Sequence, residues 1–218
     1  TESETLWRPA DAYEIRDPQA IQTAVASGIV VRQSGLLGFS HQAWLDDFQA
    51  KNFSTGQSLA HYAWQRQGGL FARATVLRAL QRLRAFDMPA YEAAIDALLG
   101  TAGTRRHLRH LVVDLVAGQL QPSARERGWV LYLLRSDVPL ARRALARICR
   151  HWTDWREYLR PLVPAIMGDA NHLWNAVQLL IAEAAHDADF VARSIAIHWE
   201  KPERDREALE VFCKSGQW

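Results

Sequence analysis

No stretch of this 218-residue chain stays apolar over the roughly 20 residues a bilayer-spanning helix needs, so no membrane segment is expected. Cysteine is scarce: the two present, Cys149 and Cys213, lie far apart and match no metal or disulfide spacing. That usage points to a reducing, cytoplasmic compartment, with both thiols as small core hydrophobes. The opening residues, TESETLWRPADAYEIRDP, carry no starting Met and none of the basic-then-apolar grading of a signal peptide. The chain therefore reads as a piece of something longer. Short catalytic motifs are missing too: no GxxxxGK(S/T), GxGxxG, HExxH, GxSxG or CxxC occurs. Without them the residues assemble no catalytic apparatus, so an enzyme acting by itself is the least favoured class, and no cofactor or metal is expected in this fragment.

What is present is ordinary globular composition, 49% apolar and 23% charged, in a chain long enough to bury its own core. The net charge of +2 conceals three zones. Residues 1–65 hold 4 basic and 7 acidic groups, residues 66–150 hold 15 arginines against 6 acids, and residues 151–218 hold 7 basic and 11 acidic groups. The central cations are all Arg, the side chain suited to forked contacts with carboxylate or phosphate. Alternating zones imply either internal complementarity or a basic surface for an anionic partner.

Along the chain, Asp17-Pro18 is a helix start and Gly28 a helix stop. Two β-prone runs, Ile29–Arg32 and Leu36–Ser40, flank a Gly turn and predict a hairpin. Ser40 is placed to cap the next helix, whose apolar face is Ala43, Trp44 and Phe48. From Gly56 onward every segment reads as amphipathic helix: Gln57–Gln67, Leu70–Ala85, Ala90–Leu99, Arg105–Ala117, Ser123–Leu134, Leu140–Arg150, Trp155–Met167, Ala170–Ala184, Ala188–Trp199 and Glu203–Cys213. Stripes such as Leu77, Leu80, Leu83 and Leu173, Val177, Leu180 mark their buried sides. Pro161 and Pro164 should kink or split the helix that holds them. Unit starts near Pro89, Pro122, Asp154 and Asp187 suggest a period of about 33 residues, in the range of two-helix repeats. No strands are expected after about residue 40. The fold expected is mostly α, a HEAT-like α-solenoid of helical pairs over 56–218 preceded by a small winged-helix remnant with a short hairpin over 1–55.

The segment GIVVRQSGLLGFSHQAWLDDFQAKNF, residues 28–53, resembles the end of the winged-helix domain in NACHT-type signalling NTPases of the STAND group. There a short wing is followed by a pattern like Phe-x-His-x-x-Phe-Gln-Glu-Tyr-Leu-Ala-Ala. Phe39 and His41 match it, Trp44 stands for the aromatic, Asp46 for the acid, Phe48 for the Leu and Ala50 for the last Ala. Leu45, Asp47 and Gln49 depart from it. The resemblance implies an upstream P-loop ATPase domain binding ATP or ADP, with His41 as the residue that reaches the β-phosphate of ADP and holds an inactive state. A His in the first turn of a helix is chemically suited to that task, since an imidazole donor there lies beside outward-pointing backbone N–H groups. A helix-start role for His41, bonded to the wing, is the plain alternative. Trp44 and Phe48 are expected in the core.

Three further sets of residues bear on function. Arg105, Arg106 and Arg109 share one helix, and Arg142, Arg143, Arg147 and Arg150 another, so adjacent repeats could merge them into a basic ridge for nucleic acid or an acidic protein segment. Pairing with Asp114, Glu126 and Asp137 would neutralise part of that ridge. His107, His110 and Asp114 have a spacing that places them on one face, but the neighbouring arginines would repel a cation and an ordinary surface is the better reading. Of the nine Trp, those at 129, 152, 155, 174 and 199 fall at apolar helical positions and are read as inter-helix packing. The function expected is therefore the regulatory and sensor part of a NACHT-like STAND NTPase, its repeat surface binding a ligand or protein. A stand-alone HEAT-like scaffold and a nucleic-acid-binding repeat remain as alternatives.

Overall fold

A computed structural model describes residues 7–10, 17–53, 55–69 and 72–199. The chain divides into two compact units, the first through Leu108 and the second from Arg109.

In the first unit a short strand β1 (Trp7–Pro9) is followed by helix α1 (Pro18–Ala26) and strands β2 (Val30–Gln33) and β3 (Leu36–Phe39). Asp17 caps α1 by accepting from the Ala20 N–H at 2.9 Å, and Gly28, at φ +71°, ends the turn after it. The hairpin closes through Ser34 and Gly35, both at positive φ (50° and 75°), because only a primed two-residue turn matches the twist of paired strands. β1 pairs antiparallel with β3, Trp7 opposite Gly38, giving the order β1-β3-β2. This strand was not anticipated: three residues ending in Pro show no periodicity.

Four helices follow: α2 (Gln42–Lys51), α3 (Gly56–Arg66), α4 (Ala72–Phe86) and α5 (Met88–Gly100). α4 packs against α2, α3 and α5, and α3 also packs on α5. Leu59, Ala63, Val76, Leu80, Leu83, Tyr91, Ile95 and Leu98 form the core between them. Leu77, placed in the apolar stripe by sequence, is only half-buried; Val76 and Ala79 take the inward positions. Gly56 allows the closest approach. A Cβ built there would lie 2.2 Å from the Ala90 carbonyl oxygen of α5. The expected domain boundary at 55/56 falls in the turn between α2 and α3, and helices on both sides of it pack on α4.

The division between units lies within α6 (Arg106–Ala117). Then come α7 (Ala124–Ser136), α8 (Val138–Ile148), a 3-10 turn at Cys149–His151, α9 (Trp152–Leu159), a second 3-10 turn at Arg160–Leu162, α10 (Val163–Met167), α11 (Leu173–Ala184) and α12 (Ala188–Trp199). The continuous helix read over Trp155–Met167 is split around Pro161, as its prolines anticipate. α11 packs against α8, α9, α10 and α12 and carries the buried Leu173, Val177, Leu179 and Leu180. The helix read at Glu203–Cys213 lies outside the described residues.

The chain is thus mostly helical with a hairpin ahead of the helices, as the sequence predicts. Its period is not. Asp87, Asp137 and Asp187 each accept from the N–H three residues on, at 3.0, 3.0 and 2.9 Å, and so start α5, α8 and α12. Their own N–H groups donate back to the carbonyls of Leu83, Leu133 and Glu183. Tight pairs α4/α5, α7/α8 and α11/α12 therefore recur every 50 residues, with α6 or α9–α10 between them. The 33-residue spacing read from sequence linked the starts of helices that are not equivalent. Among the described residues no strand follows β3 and no helix is long and apolar enough to cross a membrane.

Candidate functional site

The wing and α2 meet at Ser40 and His41. Ser40 does not cap α2 as expected, because the sheet claims it: its N–H and its hydroxyl both donate to the Ile29 carbonyl, at 2.9 and 3.2 Å. The cap passes to His41. Its backbone is extended, and its ring Nδ1 accepts from the Ala43 N–H at 3.1 Å. An accepting Nδ1 carries no proton, so in the neutral ring the proton resides on Nε2. His41 is exposed, which leaves that N–H as a donor beside a helix N-terminus.

The other motif residues distribute differently from the expectation. Asp46 is buried, at 5% exposure, and Ala50 is buried with it. Trp44 and Phe48, expected in the core, are instead 44% and 50% exposed. The inward side of α2 is the Asp46 and Ala50 side, which turns both aromatics outward. Phe48 packs on Phe39, ring centroids 5.4 Å apart, with the Lys51 ammonium over it at 5.2 Å. The exposed Trp44 and Phe48 put apolar surface on the helix that His41 caps, with Phe39 of β3 packed against Phe48.

The arginine rows are largely spent on internal contacts. Arg109 pairs with Asp137 at 3.2 Å, and Arg143 grips Asp114 with two bonds of 2.7 and 2.5 Å. Arg142 donates to the Asn171 carbonyl at 2.8 Å. The Arg147 side chain lies against Gly118, with its Nε buried. The hydrogen bond with Asp114 raises the Arg143 pKa further above its ordinary value. Arg105, Arg106 and Arg150 are exposed; Arg106 nevertheless has a polar contact. Glu126, expected to neutralise arginine, closes a capping box with Ser123 (2.7 and 3.1 Å). Asp114 is engaged by Arg143, and no group of three potential metal ligands occurs among the described residues.

Of the tryptophans, Trp129, Trp152 and Trp155 are buried as read, whereas Trp174 is 54% exposed at the second position of α11. The side chain of Trp199 and all of Cys213 lie outside the described residues. Cys149 is partly covered, and burial pushes its thiol up to about 11.

One cluster was missed by sequence reasoning. Glu183 on α11 is fully buried and accepts from Arg156 at 2.7 and 2.8 Å and from the Trp152 indole at 2.7 Å, with Arg160 at 3.4 Å. Arg160 also bonds Asp187 and lies over the Phe190 ring, 4.4 Å from its centroid. Burial by itself would raise the Glu183 pKa, but the bonds from Arg156 and Trp152 and the charges of both arginines outweigh it and hold the carboxyl below its ordinary range. The signal for this cluster was the 50-residue period: Glu183 occupies the position that Leu83 and Leu133 hold before the two earlier cap aspartates. Thr153, Arg156, Glu157, Arg160, Pro161 and Phe190 line a surface cavity of about 540 Å³ next to it.

Comparison of the chain with family models, with curated proteins and with solved structures returns no match in any of the three.

Proposed function

We propose that this chain is the end of a regulatory winged-helix domain and the helical-repeat region of a NACHT-type STAND NTPase acting in the cytoplasm. The observation that carries the reading is the junction at His41. A wing, a His cap whose outward nitrogen is the donor, and a helix bearing the motif residues follow one another in the family's order. Two further features support it. β1 pairs with β3 across an intervening helix, as the first and last strands of a winged helix do. The exposed Trp44 and the Phe39–Phe48 pair give α2 an apolar surface suited to rest against an upstream ATPase domain.

In this reading His41 donates to a phosphate of ADP bound upstream and biases the closed state. The repeats bind a ligand or protein partner, which shifts the equilibrium by its differential affinity for the open form. Because Arg109, Arg142 and Arg143 are tied to internal partners, a merged basic ridge for nucleic acid is the weaker alternative.

The test uses the full-length parent purified without added nucleotide, denatured, and its released nucleotide identified by chromatography. His41→Ala removes both cap and donor; His41→Asn keeps a capping side chain but has no imidazole. Sensing requires that wild type retain ADP and that both variants lose it. Retention by His41→Asn reduces His41 to a cap. A parent that binds no nucleotide leaves the stand-alone HEAT-like scaffold.

A further inference from the structure

We propose that the cavity lined by Arg156, Arg160 and Phe190 is a binding site for a carboxylate carried on a flat apolar body. This deepens the ligand-binding role given above to the repeats, but it rests on the second unit alone and needs no nucleotide.

The first observation is that Glu183 is not needed to fill space. Leu83 and Leu133 are buried at the equivalent positions of the two earlier helical pairs. A buried ion pair is seldom more stabilising than a well-packed apolar residue of similar size, so a charge at a Leu position points to a task other than stability. Here the task is to aim two guanidiniums. Arg156, on α9, gives Nε and Nη2 to Glu183; Arg160, one turn further on, gives Nη2 to Asp187 and its Nε lies 3.4 Å from Glu183. Among the described residues neither Nη1 has a hydrogen-bond partner, and both side chains keep 31% of their surface exposed. Both line the cavity.

The second observation is the wall. Phe190 and Pro161 are apolar, and the Arg160 guanidinium carbon lies over the Phe190 ring, 4.4 Å from its centroid, so the donors and the apolar surface adjoin. A volume of about 540 Å³ lies within the usual range for small-ligand sites.

Charge selects the class of anion. The two arginines are matched by Glu183 and Asp187, Glu157 stands on the lining, and Arg193 of α12 lies close enough to act on Asp187. What remains is a set of directed N–H donors without a strong positive field. That favours a planar monoanion, which a guanidinium fork fits, over a phosphate dianion, which brings twice the charge toward Glu157 and lacks the planar match. The carboxylate could belong to a free small molecule or to an acidic side chain next to an aromatic one in a partner.

The experiment titrates the full chain with benzoate, followed by calorimetry, with benzamide and inorganic phosphate in parallel. Benzoate should saturate one site and bind about tenfold tighter than benzamide, with phosphate weaker than benzoate. Arg160→Gln and Glu183→Leu should each weaken benzoate about tenfold while helical circular dichroism is unchanged. Should Glu183→Leu unfold the chain, Arg160→Gln carries the same reading from the exposed side. Displacement of benzoate by a blocked Glu-Phe peptide assigns the site to a partner's acidic side chain, and its failure to displace assigns it to a free carboxylate. The proposal is overturned if benzoate does not saturate, if phosphate binds tighter, or if both variants bind as wild type does.

Discussion

Arg156 donates from Nε and Nη2 to the two oxygens of Glu183, at 2.7 and 2.8 Å, and Glu183 has no exposed surface while Arg156 keeps about a third of its own. The acid is committed to the interior and the base is not. The two partners therefore respond differently to loss of the pair.

The carboxyl of Glu183 is held below its ordinary value near 4.5, and that of Asp187 below its ordinary value near 3.8. For Asp187 the bond from the Phe190 N–H is the main cause. Both contributions to stability are thus full above the unfolded values and fade as pH falls through the lower folded ones. Urea midpoints measured from pH 7 down to pH 2.5 should be flat above about pH 5 and fall steadily below it. Glu183→Gln should shrink that slope and cost about 2–3 kcal/mol at pH 7, below the range for a fully buried pair because the arginines can return to water. Glu183→Leu, matching the earlier pairs, should cost less than Glu183→Gln.

Gly56 admits no side chain. Its built Cβ falls 2.2 Å from the Ala90 oxygen and 2.6 Å from the Ala94 nitrogen, both backbone atoms that cannot swing aside. Gly56→Ala should cost about 3 kcal/mol in chemical denaturation, more than its gain in helix propensity. Gly100→Ala, where a Cβ meets nothing within 4 Å, should gain about 0.5 kcal/mol, and the opposite signs separate crowding from propensity.

Ser34 sits at φ 50° in the wing turn, a conformation that costs a Cβ-bearing residue. Ser34→Asn, which creates the Asn-Gly pair favoured in such turns, should raise stability by about 0.5 kcal/mol without moving the register Gln33↔Leu36. Thermal melting reads the gain. A loss would mean that Ser34 makes a contact its turn geometry does not require.

The Cys149 thiol is raised by burial from about 9.0 to about 11. At pH 8 only about a thousandth of it is thiolate, the form that reacts. In a Cys213→Ser background its reaction with a disulfide reagent should run at least a hundredfold slower than that of a small free thiol. The rate should rise in urea along with unfolding. Fast labelling of the native protein would show a more open site than its coverage indicates.

The helices were legible because the 3.6-residue pattern is strong from Gly56 onward, and the start at Asp17 was legible because a capping side chain is a local device. Ser40 was misassigned because a competing acceptor, Ile29, is eleven residues away and only the folded hairpin brings it near. Trp44 and Phe48 were placed inside because an aromatic at helical spacing looks like core, yet Asp46 and Ala50 occupy the inward side. Glu183 was lost for the opposite reason. A lone acid in an apolar stripe has no meaning until a period of 50 sets it beside Leu83 and Leu133.

The cap aspartates do two jobs with one carboxylate. In Asp137 and Asp187, Oδ1 closes the first turn of its own helix while Oδ2 holds an arginine 28 or 27 residues earlier, Arg109 or Arg160. Fraying the first turn of α12 therefore releases Arg160, which loosens Glu183 and with it the anchor of α9. Local opening and separation of neighbouring helices become a single event. The second unit should exchange its amide protons as one cooperative block, with little opening of one helix alone.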